Sequence, residues 1–262
     1  MTSLERRSLR VAAVADLHLG RTAASVLQTL LERVASDADV LALCGDLTDN
    51  GQPAEARQLA RELAGVKIPI VAVLGNHDYE SAATAEVSRI LGESGVQVLD
   101  GSSCEIQGVG FAGVKGFCGG FGRRALGPWG ELAIKAFVRE ALDEALKLET
   151  ALARIRTERR VVLLHYAPIQ GTVEGEPLEI YPFLGSSRLE EPLTRYPVDA
   201  VLHGHAHHGQ LEGRTRTGTP VYNVSLSLLQ RCCPERPPYR ILELPRMNPE
   251  AQRGAGGETE AR

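Results

Sequence analysis

The chain has 262 residues, 43% of them hydrophobic and 24% charged, with a net charge of −4. That length buries enough apolar surface to fold without staples, and the regular pattern fits one domain better than two. The mild acidity gives no global attraction to nucleic acid, which is bound mainly by Lys and Arg on phosphates, and no apolar run approaches a membrane span.

The chain starts "MTSLERRSLRVAAVADLHLG", basic residues and then a short apolar run. Asp16 breaks that run and no small-residue cleavage pattern follows, so it does not read as a signal peptide. Residues 10–16 read as a buried strand, 22–36 as an amphipathic helix, 39–46 as a second strand and 52–65 as a second helix. A third strand over 68–76 and a third helix over 81–94 complete a repeating unit. That repeat predicts parallel strands with right-handed crossovers. Short strands with glycine turns follow over 96–114. Residues 115–130, "KGFCGGFGRRALGPWG", read as a loop of special backbone conformation. A longer helix is expected near 131–157, then strands at 160–165, 199–203, 209–214, 220–224 and 239–244. The Gly-, Pro- and Glu-rich 167–190 segment reads as a long surface loop, a type that is often functional. One domain is expected over 1–245. Residues 246–262, nearly free of bulky apolar side chains, predict a disordered tail. The five cysteines, at 44, 104, 118, 232 and 233, include no C-x-x-C pair. This argues against a disulfide framework or zinc ribbon and for a reducing cytoplasm.

Five buried strands end in metal-capable or acid–base groups: Asp16 with His18, Asp46, Asn76 with His77 and Asp78, His165, and His205 with His207. In open α/β sheets that edge is where ligands bind. Each residue alone suits a plainer role, as a helix cap for the aspartates or a turn residue for Asn76. Together they demand an explanation, because gathered carboxylates repel and lose hydration. Divalent cations remove that cost. Mixed carboxylate, amide and imidazole donors suit Mn, Fe or Zn better than Ca or Mg, and the groups suffice for two ions.

In order, the motifs are Asp16-Leu17-His18, Gly45-Asp46, Gly75-Asn76-His77-Asp78, His165 and Gly204-His205-Ala206-His207. This resembles the calcineurin-like metallophosphoesterase family over residues 10–225, and "GDLTDNG" and "HGHAH" look like its phosphodiesterase branch. The resemblance implies an α/β fold of two mixed β-sheets in a sandwich flanked by helices, the four-layer αββα metallophosphoesterase arrangement. It implies one metal held by Asp16, His18, Asp46 and His207, and a second held by Asp46, Asn76, His165 and His205. Asp46 would bridge them. His77 would stand beside the scissile phosphate, with Asp78 orienting its ring.

Two ions about 3.5–4 Å apart lower the pKa of a bridging water and offset charge on phosphorus, so hydroxide can attack in line. His77 is the candidate for protonating the leaving group. For the substrate, Lys115, Arg123 and Arg124 in the glycine-rich segment could grip an anion, with ordinary surface charge as the plainer reading. His203 is grouped with these candidate substrate contacts; it lies beside the ligands and either supports them or fills a polar niche. The expected substrate is a small phosphodiester such as a nucleotide derivative; overall acidity argues against long nucleic acid. Rival readings are a phosphomonoesterase or nuclease of this fold, or a metal-stabilised scaffold without catalysis.

Overall fold

A computed structural model describes residues 8–22 and 24–245. The 246–262 segment, expected as a disordered tail, lies outside the described residues. Eleven strands form two sheets among the described residues. The first sheet contains β1 (Ser8–Val14), β2 (Val40–Cys44), β3 (Ile70–Val73), β4 (Val96–Val98) and β11 (Arg240–Pro245). The second contains β5 (Ser102–Ile106), β6 (Val109–Gly113), β7 (Arg159–Leu163), β8 (Ala200–His203), β9 (Glu212–Arg214) and β10 (Pro220–Asn223). The spatial orders are β11-β1-β2-β3-β4 and β5-β6-β7-β8-β10-β9.

The expected crossovers are present. α1 (Ala24–Asp37), α2 (Pro53–Leu63) and α3 (Thr84–Glu93) connect β1 to β4, which all run parallel. α2 starts where the chain signals it: Pro53 occupies the first turn, and Gln52 and Glu55 form a capping box. In the second sheet β6, β7, β8 and β10 are parallel. Each sheet has antiparallel strands at its edges: β11 beside β1, β5 beside β6, and β9 beside β10. Both sheets are therefore mixed.

Side-chain parity builds the layers. Val14, Leu41, Leu43 and Ala72 face Leu27, Leu30, Leu59 and Leu91 of the first three helices. The alternate residues, Val11, Ala13, Ala42 and Val73, turn inward and meet Phe111, Val161, Leu163 and Leu202 of the second sheet. The far side of that sheet, Ala112, Val162 and Val201, packs on Leu148 and Leu152 of α4 (Leu132–Arg154) and Leu193. Helix, sheet, sheet and helix thus form four layers.

Two segments are more ordered than their composition suggests. The 167–190 stretch holds 3-10 turns at Gln170–Thr172 and Leu178–Ile180 and a short helix, α5 (Tyr181–Leu184). It ends in α6 (Glu190–Arg195), and α7 (Leu226–Cys232) follows β10. The 115–130 loop docks on this stretch through Gly119 N to Pro182 O at 2.7 Å and Gly120 N to Gly185 O at 2.9 Å.

Candidate metal centre and active site

The strand ends lie level. Val14 pairs with Leu43, Cys44 with Val73, and Leu163 with Leu202. The loops leaving β1, β2, β3, β7 and β8 therefore share one rim. Asp16, His18, Asp46 and His205 all have positive φ, at 58°, 42°, 49° and 68°. Left-handed backbone costs non-glycine residues about 1–3 kcal/mol each and tends to cluster at functional sites. The strained backbone turns each side chain back over the rim rather than along its strand.

Two glycines make the close approach possible. A Cβ at Gly75 would collide with the Oδ1 and backbone N of Asp46. A Cβ at Gly204 would lie 2.5 Å from Ala15 Cβ and 2.7 Å from Asp16 Oδ2. The glycines of the G-N-H-D and G-H-x-H motifs are thus spacers that let ligand-bearing loops touch.

The ligand atoms fall into two groups that meet at Asp46. Asp16, His18 and His207 offer atoms within 4.8 Å of one another, and so do Asp46, His165 and His205. His207 Nε2 is 3.3 Å from Asp16 Oδ1, and His165 Nε2 is 3.3 Å from Asp46 Oδ1. Asn76 Oδ1 joins the second group, 2.8 Å from His165 Nε2. The other Asp46 oxygen, Oδ2, lies 3.8 Å from His18 Nε2 and so faces the first.

Outer contacts decide which ring nitrogens are free to ligate an ion. Nδ1 of His165 is 3.1 Å from the Cys44 carbonyl, so that nitrogen donates and Nε2 keeps its lone pair toward Asp46. His205 is held the opposite way round: Nε2 donates to Phe183 O at 3.1 Å, leaving Nδ1 for the rim. Both ring nitrogens of buried His18 lack any hydrogen-bond partner. Orphaned buried nitrogens are rare, and an imidazole held this way is suited to ligate a cation. The mixed oxygen and nitrogen donor set fits Mn, Fe or Zn.

The electrostatics carry the same demand. Burial pushes the Asp46 carboxyl up, but the charge and hydrogen bond of His165 outweigh it and hold the group well below the usual range. Burial likewise opposes charge on His165, yet Asp46 and Asp16 raise it to about 9. His205 is driven down to about 4 by burial and by His165. With protein groups alone, imidazolium charge on His165 and His207 offsets Asp46 and Asp16, a role that cations would fill.

His77 stands beside this centre, half-buried, with its ring 4.5 Å from that of His18 and perpendicular to it. Its backbone N–H donates to Asp46 Oδ1 at 2.9 Å. The expected role of Asp78 is not what the geometry shows. Asp78 is fully buried and accepts from Leu47 N, Thr48 N, Thr48 Oγ1 and Gly75 N at 2.6–3.1 Å. His77–Tyr79 is a 3-10 turn, in which successive side chains diverge by about 120°. Asp78 therefore ties the β2 and β3 loops together, while His77 points to the rim.

Asp49, to which the sequence reading gave no role, orients His77. Its carbonyl accepts from His77 Nδ1 at 2.7 Å. Its carboxylate lies 3.4 Å from His18 Nδ1, 3.9 Å from His77 Nδ1 and 3.0 Å from Arg21. The available signal was its position in "GDLTDNG", three residues beyond Asp46.

Of the expected substrate contacts, His203 is corrected. It is fully buried, with ring nitrogens 2.8 Å from Gly204 O and 2.8 Å from Thr172 Oγ1, and burial pushes it down to about 4. With no exposed surface and both nitrogens engaged, it braces the loop. Arg123 and Arg124 sit on an exposed 3-10 turn and make no side-chain hydrogen bond or ion pair among the described residues, so the structure does not draw them into the cluster. Lys115 is buried next to the centre.

A family model for calcineurin-like phosphoesterases matches residues 9–209, and the chain belongs to that family. A probable cyclic nucleotide phosphodiesterase from Synechococcus sp. is 26% identical over 260 residues, covering 90% of this chain and 88% of the relative. The fold is shared with phosphopantetheinyl hydrolase from Mycobacterium tuberculosis, with a TM-score of 0.64 at 15% identity over 90% of this chain and 96% of that one. A purple acid phosphatase from yellow lupin seeds matches at a TM-score of 0.53 and 14% identity, over 84% of this chain and 44% of that one. Among the described residues no helix is long and apolar enough to cross a membrane.

Proposed function

We propose that the protein hydrolyses a small phosphodiester at a centre for two metal ions. Asp16, His18, Asp46 and His207 hold one ion; Asp46, Asn76, His165 and His205 hold the other. The observation that carries this reading is the placement of Asp46, whose two oxygens face two separate imidazole groups. When bound, two such ions supply an acidified water and offset the charge on phosphorus.

The chain's own residues do the rest. The buried Cys44 and exposed-side Phe183 carbonyls fix the tautomers of His165 and His205. Asp49 holds the His77 ring by Nδ1, so that Nε2 is the atom left to give a proton to the departing alkoxide oxygen. The name of the Synechococcus relative favours a diester over a monoester. The expected compartment is the cytoplasm.

The test is turnover of bis(4-nitrophenyl) phosphate by stripped protein reconstituted with Mn, Fe or Zn. Metal-dependent release of one nitrophenolate per diester is expected. Full metal loading with no turnover of this diester or of any monoester would favour the scaffold reading.

A further inference from the structure

Lys115 leaves β6 and enters the rim, yet the chemistry above does not use it. It is 8% exposed. Its ammonium donates to Gly116 O at 2.8 Å and has no ion-pair partner among the described residues. Instead the rings of Tyr79, Phe117 and Tyr166 surround it, at 5.2, 4.9 and 5.3 Å from Nζ to the centroids. Cation–π contact tolerates the buried charge but leaves two of three N–H donors without a protein acceptor.

Those donors adjoin a cavity of about 300 Å³, lined by Lys115, Tyr79, Leu99, Asp100, Thr84 and Ser88. That is the lower end of the range for small-molecule sites. Thr84 and Ser88 stand one turn apart on α3, and neither hydroxyl has a hydrogen-bond partner among the described residues. Tyr79 belongs to the same 3-10 turn as His77 and is 38% exposed. The carbonyl of Lys115 accepts from His165 N at 3.0 Å. The Tyr166 ring lies between Lys115 and the metal groups, 4.5 Å from the His205 ring. The cavity therefore flanks the centre on the side of His165 and His205, with the Tyr166 ring as the wall between them.

Charge decides what it can take. Asp100 and Glu144 both pair with Lys147, at 3.1 and 2.7 Å, and Glu140 adds another negative charge nearby. With three carboxylates against two lysines, a second phosphate gains little. A neutral ring does better: Tyr79 offers a face, Lys115 donates, and Asp100 with the two hydroxyls accepts. We propose that the Lys115–Tyr79 cavity seats the nucleobase of a nucleotide phosphodiester, read through a carbonyl or ring nitrogen that accepts from Lys115 beside an N–H that donates toward Asp100. This deepens the phosphodiesterase reading and rests on it.

The experiment is calorimetric titration of guanosine and adenosine into the metal-loaded protein, with cyclic GMP and cyclic AMP kinetics in parallel. Lys115→Met keeps the aliphatic stem and removes the donors. It should weaken nucleoside binding and raise KM about tenfold or more, the loss of one hydrogen bond from a charged group, with kcat little changed. Tyr79→Leu, which removes the ring face and keeps the lysine, should do the same and guards against a folding defect in the lysine variant. Turnover of bis(4-nitrophenyl) phosphate should change far less in both. No nucleoside binding to the wild type, or unchanged KM in both variants, overturns the base seat while leaving the phosphodiesterase reading intact. Inertness toward every diester, with nucleosides still bound, defeats that reading instead. A fall in kcat on all substrates alike makes Lys115 merely structural and also overturns the proposal.

Discussion

Replacing Asp49 by asparagine separates orientation from charge in this site. The backbone carbonyl that accepts from His77 Nδ1 at 2.7 Å survives, so the His77 ring stays in place. What disappears is the negative charge 3.4 Å from His18 Nδ1. Two unit charges at that range interact by about 5 kcal/mol at an effective dielectric of 20, and the neutral imidazole of His18 feels only a part of that. Solvent reduces this, because the Asp49 side chain is 15% exposed and already shared with Arg21. Outer contacts of this kind set ligand basicity, and their loss usually weakens metal binding about 10- to 100-fold. That corresponds to about 1.4–2.8 kcal/mol. The assay is titration of Mn into stripped wild type and Asp49→Asn, followed by kcat at saturating metal. The expected result is a loss of affinity of this size on the site that contains His18, with kcat at saturation changed less than affinity. Equal affinities in the two proteins would refute the argument that Asp49 supports His18.

Other outcomes follow from the same geometry. His77→Ala should retain both metals and lose about 10²–10⁴-fold in kcat, the usual contribution of a positioned proton donor; metal analysis beside steady-state kinetics checks this. Gly204→Ala should fail to load metal fully, since its Cβ would press on Ala15 and Asp16; the expected destabilisation is about 1–3 kcal/mol, read by denaturant melts and metal content. Metal at about 100 times its Kd should stabilise the wild type by about 2.7 kcal/mol, seen as a rise of several degrees in Tm that a chelator reverses.

Much of this architecture was legible because its strands are buried on both faces and its helices obey one period. "VAAVAD", "LALCGD" and "VAVLGN" each announce a strand followed by a polar turn, and parallel pairing then brings their ends to one rim. Edge strands were harder. β11 pairs antiparallel with β1 from more than two hundred residues away, a choice that periodicity along the chain does not encode. α7 was unrecognised because its seven residues are too few to show a helical repeat. Within the site, ligands were readable from residue type and order, while their supports were not. Asp78 adjoins His77 in sequence, but a 3-10 turn sends the two side chains apart. His203 lies two residues before His205, the spacing of one strand face. The chain leaves β8 at Gly204 and His205 takes a φ of 68°, so parity no longer applies. Asp49 reads as one more polar turn residue until the fold brings His18 and His77 against it.

The central claim is that Asp46 joins two metal sites, and metal stoichiometry tests it most directly. Elemental analysis of purified, reconstituted protein should find two ions per chain in the wild type, with Asp46→Ala failing to retain the pair while His77→Ala keeps it. One ion per wild-type chain, or two ions undiminished in Asp46→Ala, would contradict the account.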